Sequence, residues 1–278
     1  MTDNAQQLHT STRAQDGTVL AYQRHGSGRP LVLLAGQANN HHWWDGVRED
    51  FHATHSTVTM DYRGTGASGK PGGHYSTQLF AGDLLAVLDD LEVERADVYG
   101  TSMGGRVAQW LAARHPDRVR HLVLGCTSPG GPHAQERDAS VRRALAQADP
   151  TASRQALLDL MYSPAWLADH PGPYTTLGDA GMPPQARRGH LVASNEHDAW
   201  DALPRISAPT LVLHGDQDRL TPAANASLLA ARIPRARMHL FTGARHAYFQ
   251  ECRPQAGRLV RAFLTGPQDL PLPEAGHS

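Results

Sequence analysis

The sequence predicts an α/β protein: a mostly parallel central sheet with helices on both faces and a helical insertion between two of its strands. Short continuous apolar runs, of which Leu31-Val32-Leu33-Leu34 is the plainest, have the pattern of strands buried on both faces. Amphipathic segments of helical period separate several of these runs. From about Ser128 to Arg205 the alternation stops, in a stretch with nine prolines and no buried strand pattern.

Taken in order, Val19 to Gln23 follows an Asp16-Gly17 turn that pairs it with Leu8 to Arg13 as a hairpin. Leu31 to Leu34 ends at Ala35-Gly36. Similar runs follow at Ser56 to Met60, Ala96 to Tyr99, Val119 to Leu124, Thr210 to Leu213 and Arg237 to Phe241. Phe80, Leu84, Val87, Leu88 and Leu91 recur at spacings of three and four, which makes one apolar helical stripe. Amphipathic pieces such as Gln155 to Met161 mark the insertion as helical and a candidate lid. The expected division is a core in two parts, residues 1–127 and 206–265, a cap over 128–205, and a disordered tail over 266–278 with Pro267, Pro271 and Pro273.

Composition narrows the function classes. With 278 residues, 40% of them hydrophobic, the chain can bury one large core. Lys plus Arg total 26 against 27 Asp plus Glu, a net charge of -1, so there is no electrostatic footprint for nucleic acid and a small molecule is the expected partner. The two cysteines, Cys126 and Cys252, form neither a disulfide framework nor a zinc cluster. No signal-peptide pattern opens the chain, and no apolar run approaches the ~18 residues that cross a bilayer. A cytoplasmic protein away from the membrane is expected.

The strongest local signal is Gly100-Thr101-Ser102-Met103-Gly104, between the strand pattern Asp97-Val98-Tyr99 and a helix through Gln109-Trp110-Leu111. Glycines two before and two after the serine permit a strained strand-to-helix turn that lifts its hydroxyl above the sheet edge. A serine hydroxyl is a weak nucleophile and needs a base, which in turn needs an orienting carboxylate. In the chain order Ser, Asp or Glu, His, the loop His214-Gly215-Asp216-Gln217-Asp218 after a late strand offers the acid. Gly243-Ala244-Arg245-His246, after the last strand run, offers the base; among 17 histidines, position selects His246.

These segments, in this order, resemble the serine branch of the α/β-hydrolase superfamily across roughly residues 8 to 265. The family's Gly-x-x-Asp, with a proline a few residues on, implies Asp218 rather than Asp216 as the acid, and its Gly-x-x-His maps onto Gly243 to His246. Asp61 to Ser68 resembles the family's structural loop after the fourth strand. Two backbone N–H groups would bind the oxyanion: that of Met103, next to the nucleophile, and one from the loop after Leu31 to Leu34. The family often has His-Gly there, with the donor next; this sequence has Ala35-Gly36-Gln37, which makes Gln37 the donor by position. Trp43 and Trp44 follow, as pocket lining or as core.

The literal GxGxxG of Gly64 to Gly69 is followed by Lys70-Pro71-Gly72-Gly73 instead of a helix, which argues against a dinucleotide. His52 and His55 lack a third ligand nearby, and no metal or other cofactor is expected. The expected activity is hydrolysis of a carboxylic ester or lactone through an acyl-enzyme, with Ser102, His246 and Asp218 as catalytic residues. The stretch Gly105 to Ala112 looks like the corresponding part of enol-lactonases. Carbon–carbon bond hydrolases and cofactor-free perhydrolases share the triad, and a non-catalytic small-ligand receptor shares the scaffold.

Overall fold

Strands β1 (Thr10–Arg13), β2 (Val19–His25), β3 (Arg29–Leu34), β4 (His55–Met60), β5 (Ala96–Thr101), β6 (Val119–Gly125), β7 (Thr210–Gly215) and β8 (Ala236–Phe241) form one sheet in the order β1-β2-β4-β3-β5-β6-β7-β8. The computed structural model describes residues 10–266, so Leu8 and His9 of the expected hairpin and the expected tail beyond Gly266 lie outside the described residues. β1 and β2 pair antiparallel across the Asp16-Gly17 turn, and β2 runs antiparallel to β4. Every other neighbouring pair is parallel.

Parallel strands need crossovers, and helices provide them. Along the chain the helices are α1 (Thr77–Asp90), α2 (Met103–Arg114), α3 (Ala139–Leu145), α4 (Pro150–Met161), α5 (Pro164–Asp169), α6 (Pro184–Asn195), α7 (Ala224–Arg232), α8 (Tyr248–Glu251) and α9 (Arg253–Thr265), the last two following β8 outside any crossover. Of the predicted stripe, Phe80, Leu84, Val87 and Leu88 are buried on α1, while Leu91 is the half-buried C-cap just past its end. Full burial of one such leucine contributes on the order of 2 kcal/mol. Ser76 caps the helix by accepting from the Leu79 amide at 3.0 Å. Ala96, Val98, Leu122, Val123, Leu211 and Val212 are fully buried between the helical layers, which is why adjacent positions such as Leu122-Val123 and Leu211-Val212 are both apolar.

The chain leaves the sheet at Gly125 and returns at Thr210, with α3 to α6 between, so the stretch without strand pattern is a helical insertion. Side-chain caps at Asp149 and Ser163 start α4 and α5. The C-terminal ends of β3, β5, β6, β7 and β8 share one edge, where sites of open α/β sheets collect. Among the described residues no helix is long and apolar enough to cross a membrane.

Candidate active site

Ser102 stands between the end of β5 and the start of α2 with φ 54° and ψ -122°. A residue with a side chain holds such a backbone only when its surroundings over-determine it. Here the Ser102 amide donates to the Gly125 carbonyl at 2.9 Å, and the Ser102 carbonyl accepts from Thr127 Oγ1 at 2.7 Å and from the Gly105 amide at 3.1 Å. A Cβ at Gly100 would strike the Gly104 carbonyl, and a Cβ at Gly104 would strike that of Leu34. Both glycines are therefore needed for the helix to start so close to the sheet. The Ser102 side remains partly open to solvent.

Asp218 lies in the turn after β7. Its Oδ1 accepts from the Leu220 and Thr221 amides, both at 2.8 Å, which fixes the carboxylate plane. Its Oδ2 lies 2.7 Å from His246 Nδ1 and 3.1 Å from His214 Nε2. Burial raises the carboxyl, but the charge of His246 and the hydrogen bonds from His214 and His246 outweigh it and hold Asp218 below the usual carboxylate range. Asp216 is engaged elsewhere, accepting from the Gly243 amide at 2.8 Å.

His246 follows β8 and is 1% exposed. The next residue, Ala247, donates to the Met161 carbonyl at the end of α4, and Tyr248 reaches across β6 to meet the Tyr99 hydroxyl at 2.8 Å. A Cβ at Gly125 would collide with the Tyr248 hydroxyl, so the Tyr248 side chain lies over the end of β6. With Nδ1 donating to Asp218, the lone pair falls on Nε2. That nitrogen is buried with no hydrogen-bond partner among the described residues; the expected bond to Ser102 is not formed. Bonds of this kind are often long before substrate arrives.

The loop after β3 runs beside the start of α2, as the closeness of Gly104 to Leu34 requires. Neither the Gln37 nor the Met103 amide donates to another described residue. Trp43 is 2% exposed, donates to Thr101 Oγ1 at 2.9 Å and stacks on Phe249, while Trp44 is fully buried; both are core and not pocket lining.

Two residues near these groups carry no signal in the sequence. His214 is one of 17 histidines inside an apolar strand, yet it touches Asp218. Cys126, just past β6, is buried, and burial together with the Asp218 charge pushes its thiol well up, so it is no thiolate at neutral pH. Among the described residues no group of three metal-ligating side chains forms. His55 instead meets Asp97 at 3.2 Å. After Gly64 to Gly69 no helix begins until Thr77, so the loop has no phosphate-binding helix end. Two surface grooves, of about 480 Å³ beside Tyr75 and Gly189 and about 320 Å³ beside Leu158 and Tyr174, are lined by none of Ser102, Asp218 and His246.

Residues 29–251 match the family model described as alpha/beta hydrolase fold. The chain is 33% identical over 225 residues to 2-hydroxymuconate semialdehyde hydrolase of Pseudomonas putida, covering 76% of this chain and 77% of that one. Among solved structures it resembles a hydrolase from Pseudomonas aeruginosa, with TM-score 0.82 and 31% identity over 95% of this chain and 100% of that chain. It also resembles the enol-lactonase from Burkholderia xenovorans, with TM-score 0.82 and 25% identity over 92% of this chain and 100% of that one.

Proposed function

The chain belongs to the α/β-hydrolase fold family, and from that premise we propose that it is a serine hydrolase that cleaves a carboxylic ester or lactone of a small molecule. One observation carries the reading: Asp218 holds the imidazole of His246 at Nδ1, which leaves its buried Nε2 without a partner among the described residues and available to take a proton. The likeness to an enol-lactonase supports the lactone half of the proposal.

In this mechanism Ser102 Oγ attacks the carbonyl carbon while its proton passes to His246 Nε2. Negative charge forms on the carbonyl oxygen, and the Gln37 and Met103 amides, which have no other acceptor, donate to it. Collapse expels the alkoxide, which takes the proton from His246, and leaves Ser102 acylated. Water then attacks the acyl carbon, giving its proton to His246; the second collapse releases Ser102 with that proton and the carboxylic acid. Asp218 stays ionised throughout, orienting the ring and stabilising the imidazolium. No metal or cofactor takes part. The insertion over residues 128–205 serves as the cap that shapes the acyl pocket, and the unpaired Cys126 and Cys252 suit a reducing cytoplasm.

A screen of p-nitrophenyl esters and lactones of varied chain length, without peroxide, tests the reading. Acid release that disappears in Ser102→Ala supports it. Inertness toward every ester and lactone, in a folded protein, rejects it in favour of carbon–carbon bond hydrolysis, peroxide-dependent chemistry or ligand binding without turnover.

A further inference from the structure

We propose that His190, on α6 of the insertion, is a positioning residue for the backbone donor at Gln37, so that the cap holds part of the oxyanion site in shape; the inference rests on the hydrolase reading above. The loop needs such a hold. Its sequence lacks the family's histidine-glycine pair, and Ala38, directly after the donor, sits at φ 57°, a left-handed conformation disfavoured by its Cβ.

Contacts from the insertion supply the restraint. The Ala38 amide donates to His190 Nδ1 at 3.2 Å, and the Ala38 carbonyl accepts from the Asp179 amide at 2.7 Å. Asn39 bridges the same segments: its Nδ2 donates to the Gln37 carbonyl at 2.9 Å and its Oδ1 accepts from the Gly178 amide at 2.9 Å. The peptide plane between Gln37 and Ala38 is thus pinned at both its oxygen and its nitrogen. On the other side of Gln37, Gly36 packs against the Trp43 ring. With both flanks fixed, the direction of the Gln37 N–H is set, and that group has no other acceptor.

His190 is built for one orientation. It is fully buried, and its Nε2 donates to the Arg63 carbonyl at 2.9 Å, which leaves Nδ1 as the acceptor for Ala38. The rings of Tyr62, Tyr75 and Phe80 surround it at centroid distances of 6.0, 5.8 and 4.9 Å. An oxyanion donor acts only when aimed at the charge that develops in the transition state. Loosening the Gln37–Ala38 plane should therefore lower kcat and leave ground-state binding nearly untouched.

Two substitutions separate the roles of the ring nitrogens. His190→Asn places an acceptor where Nδ1 stands and gives up the Arg63 bond; His190→Gln reaches the Arg63 carbonyl and gives up the acceptor for Ala38. With an ester that the wild-type protein hydrolyses, Asn should keep kcat within about threefold while Gln loses about tenfold, both with KM within about threefold. Amide exchange read in the same proteins should find Ala38 protected in wild type and His190→Asn and deprotected in His190→Gln. Equal kcat in the two variants, or Ala38 protection unchanged in Gln, overturns the proposal. If neither variant folds, the ¹⁵N spectrum of wild-type protein decides: His190 as the Nε2–H tautomer with Nδ1 accepting supports it, and the opposite tautomer refutes it. Failure of wild type to hydrolyse any ester would defeat the hydrolase reading alone, since the exchange and tautomer measurements do not depend on turnover.

Discussion

His246 Nδ1 lies 2.7 Å from Asp218 Oδ2, and the other oxygen of that carboxylate is tied to two amides of its own turn. Asp218→Asn presents an amide to Nδ1 and favours the wrong tautomer, so kcat should fall about 10⁴-fold, as in the serine-protease template. Asp216→Asn, which can still accept from Gly243, should cost less than about tenfold. Steady-state kinetics of the two variants on one ester check the ranking; the reverse order would move the acid to Asp216.

His214 shares the same carboxylate oxygen and also lies 2.8 Å from the Thr221 carbonyl. His214→Phe fills the ring volume but removes this charge-assisted donor, which should cost about 2 kcal/mol of stability and about tenfold in kcat. Urea unfolding and kinetics measured together test it. Unchanged values for both would leave His214 a spectator.

The Gln37 side chain is not part of the proposed chemistry; its amide is. Gln37→Ala should keep activity within about threefold, whereas Gln37→Pro deletes the N–H and should lower kcat by about 10² or more. Small, equal effects would place the second oxyanion donor elsewhere.

Acid should destabilise the fold through His190. Burial, outweighing the Arg63 carbonyl and the Asp179 charge, lowers its pKa from the ordinary 6.5 to about 4. Between those values the unfolded chain binds a proton that the native protein refuses, so stability is complete above about 6.5 and is lost as pH falls toward about 4, by about 3 kcal/mol in all. His197, lowered well below its usual value by burial and by Arg106, acts in the same direction. Unfolding free energies at pH 7.5 and 5 should differ less in His190→Asn than in wild type. An identical difference in both proteins would contradict the assignment.

Much of this molecule is legible in the chain because strands buried on both faces leave unbroken apolar runs. Leu31 to Leu34 and Thr210 to Leu213 are such runs, although β7 extends past the apolar stretch to His214 and Gly215. The Ser102 turn is legible for a steric reason, since only glycine fits at 100 and 104. Asp218 and His246 follow from position after strands, and the structure brings these two into contact. Residues that act across long sequence separations leave no such trace. His190 meets Ala38 across 152 positions, and His214 hides in a strand whose period says only that it is buried. Trp43 and Trp44 could be sorted into core only when Thr101 and Phe249 were seen against Trp43.

The central claim is that the Ser102 hydroxyl is the nucleophile activated by His246, and covalent labelling tests it without knowledge of the natural substrate. Wild-type protein is incubated with a fluorophosphonate, and the labelled peptide is identified by mass spectrometry in wild type, Ser102→Ala and His246→Ala. The account predicts one modification, on Ser102, abolished in Ser102→Ala and slowed by about 10² or more in His246→Ala. Labelling that persists in a folded Ser102→Ala protein, or wild-type Ser102 left unmodified while another residue reacts, would contradict it.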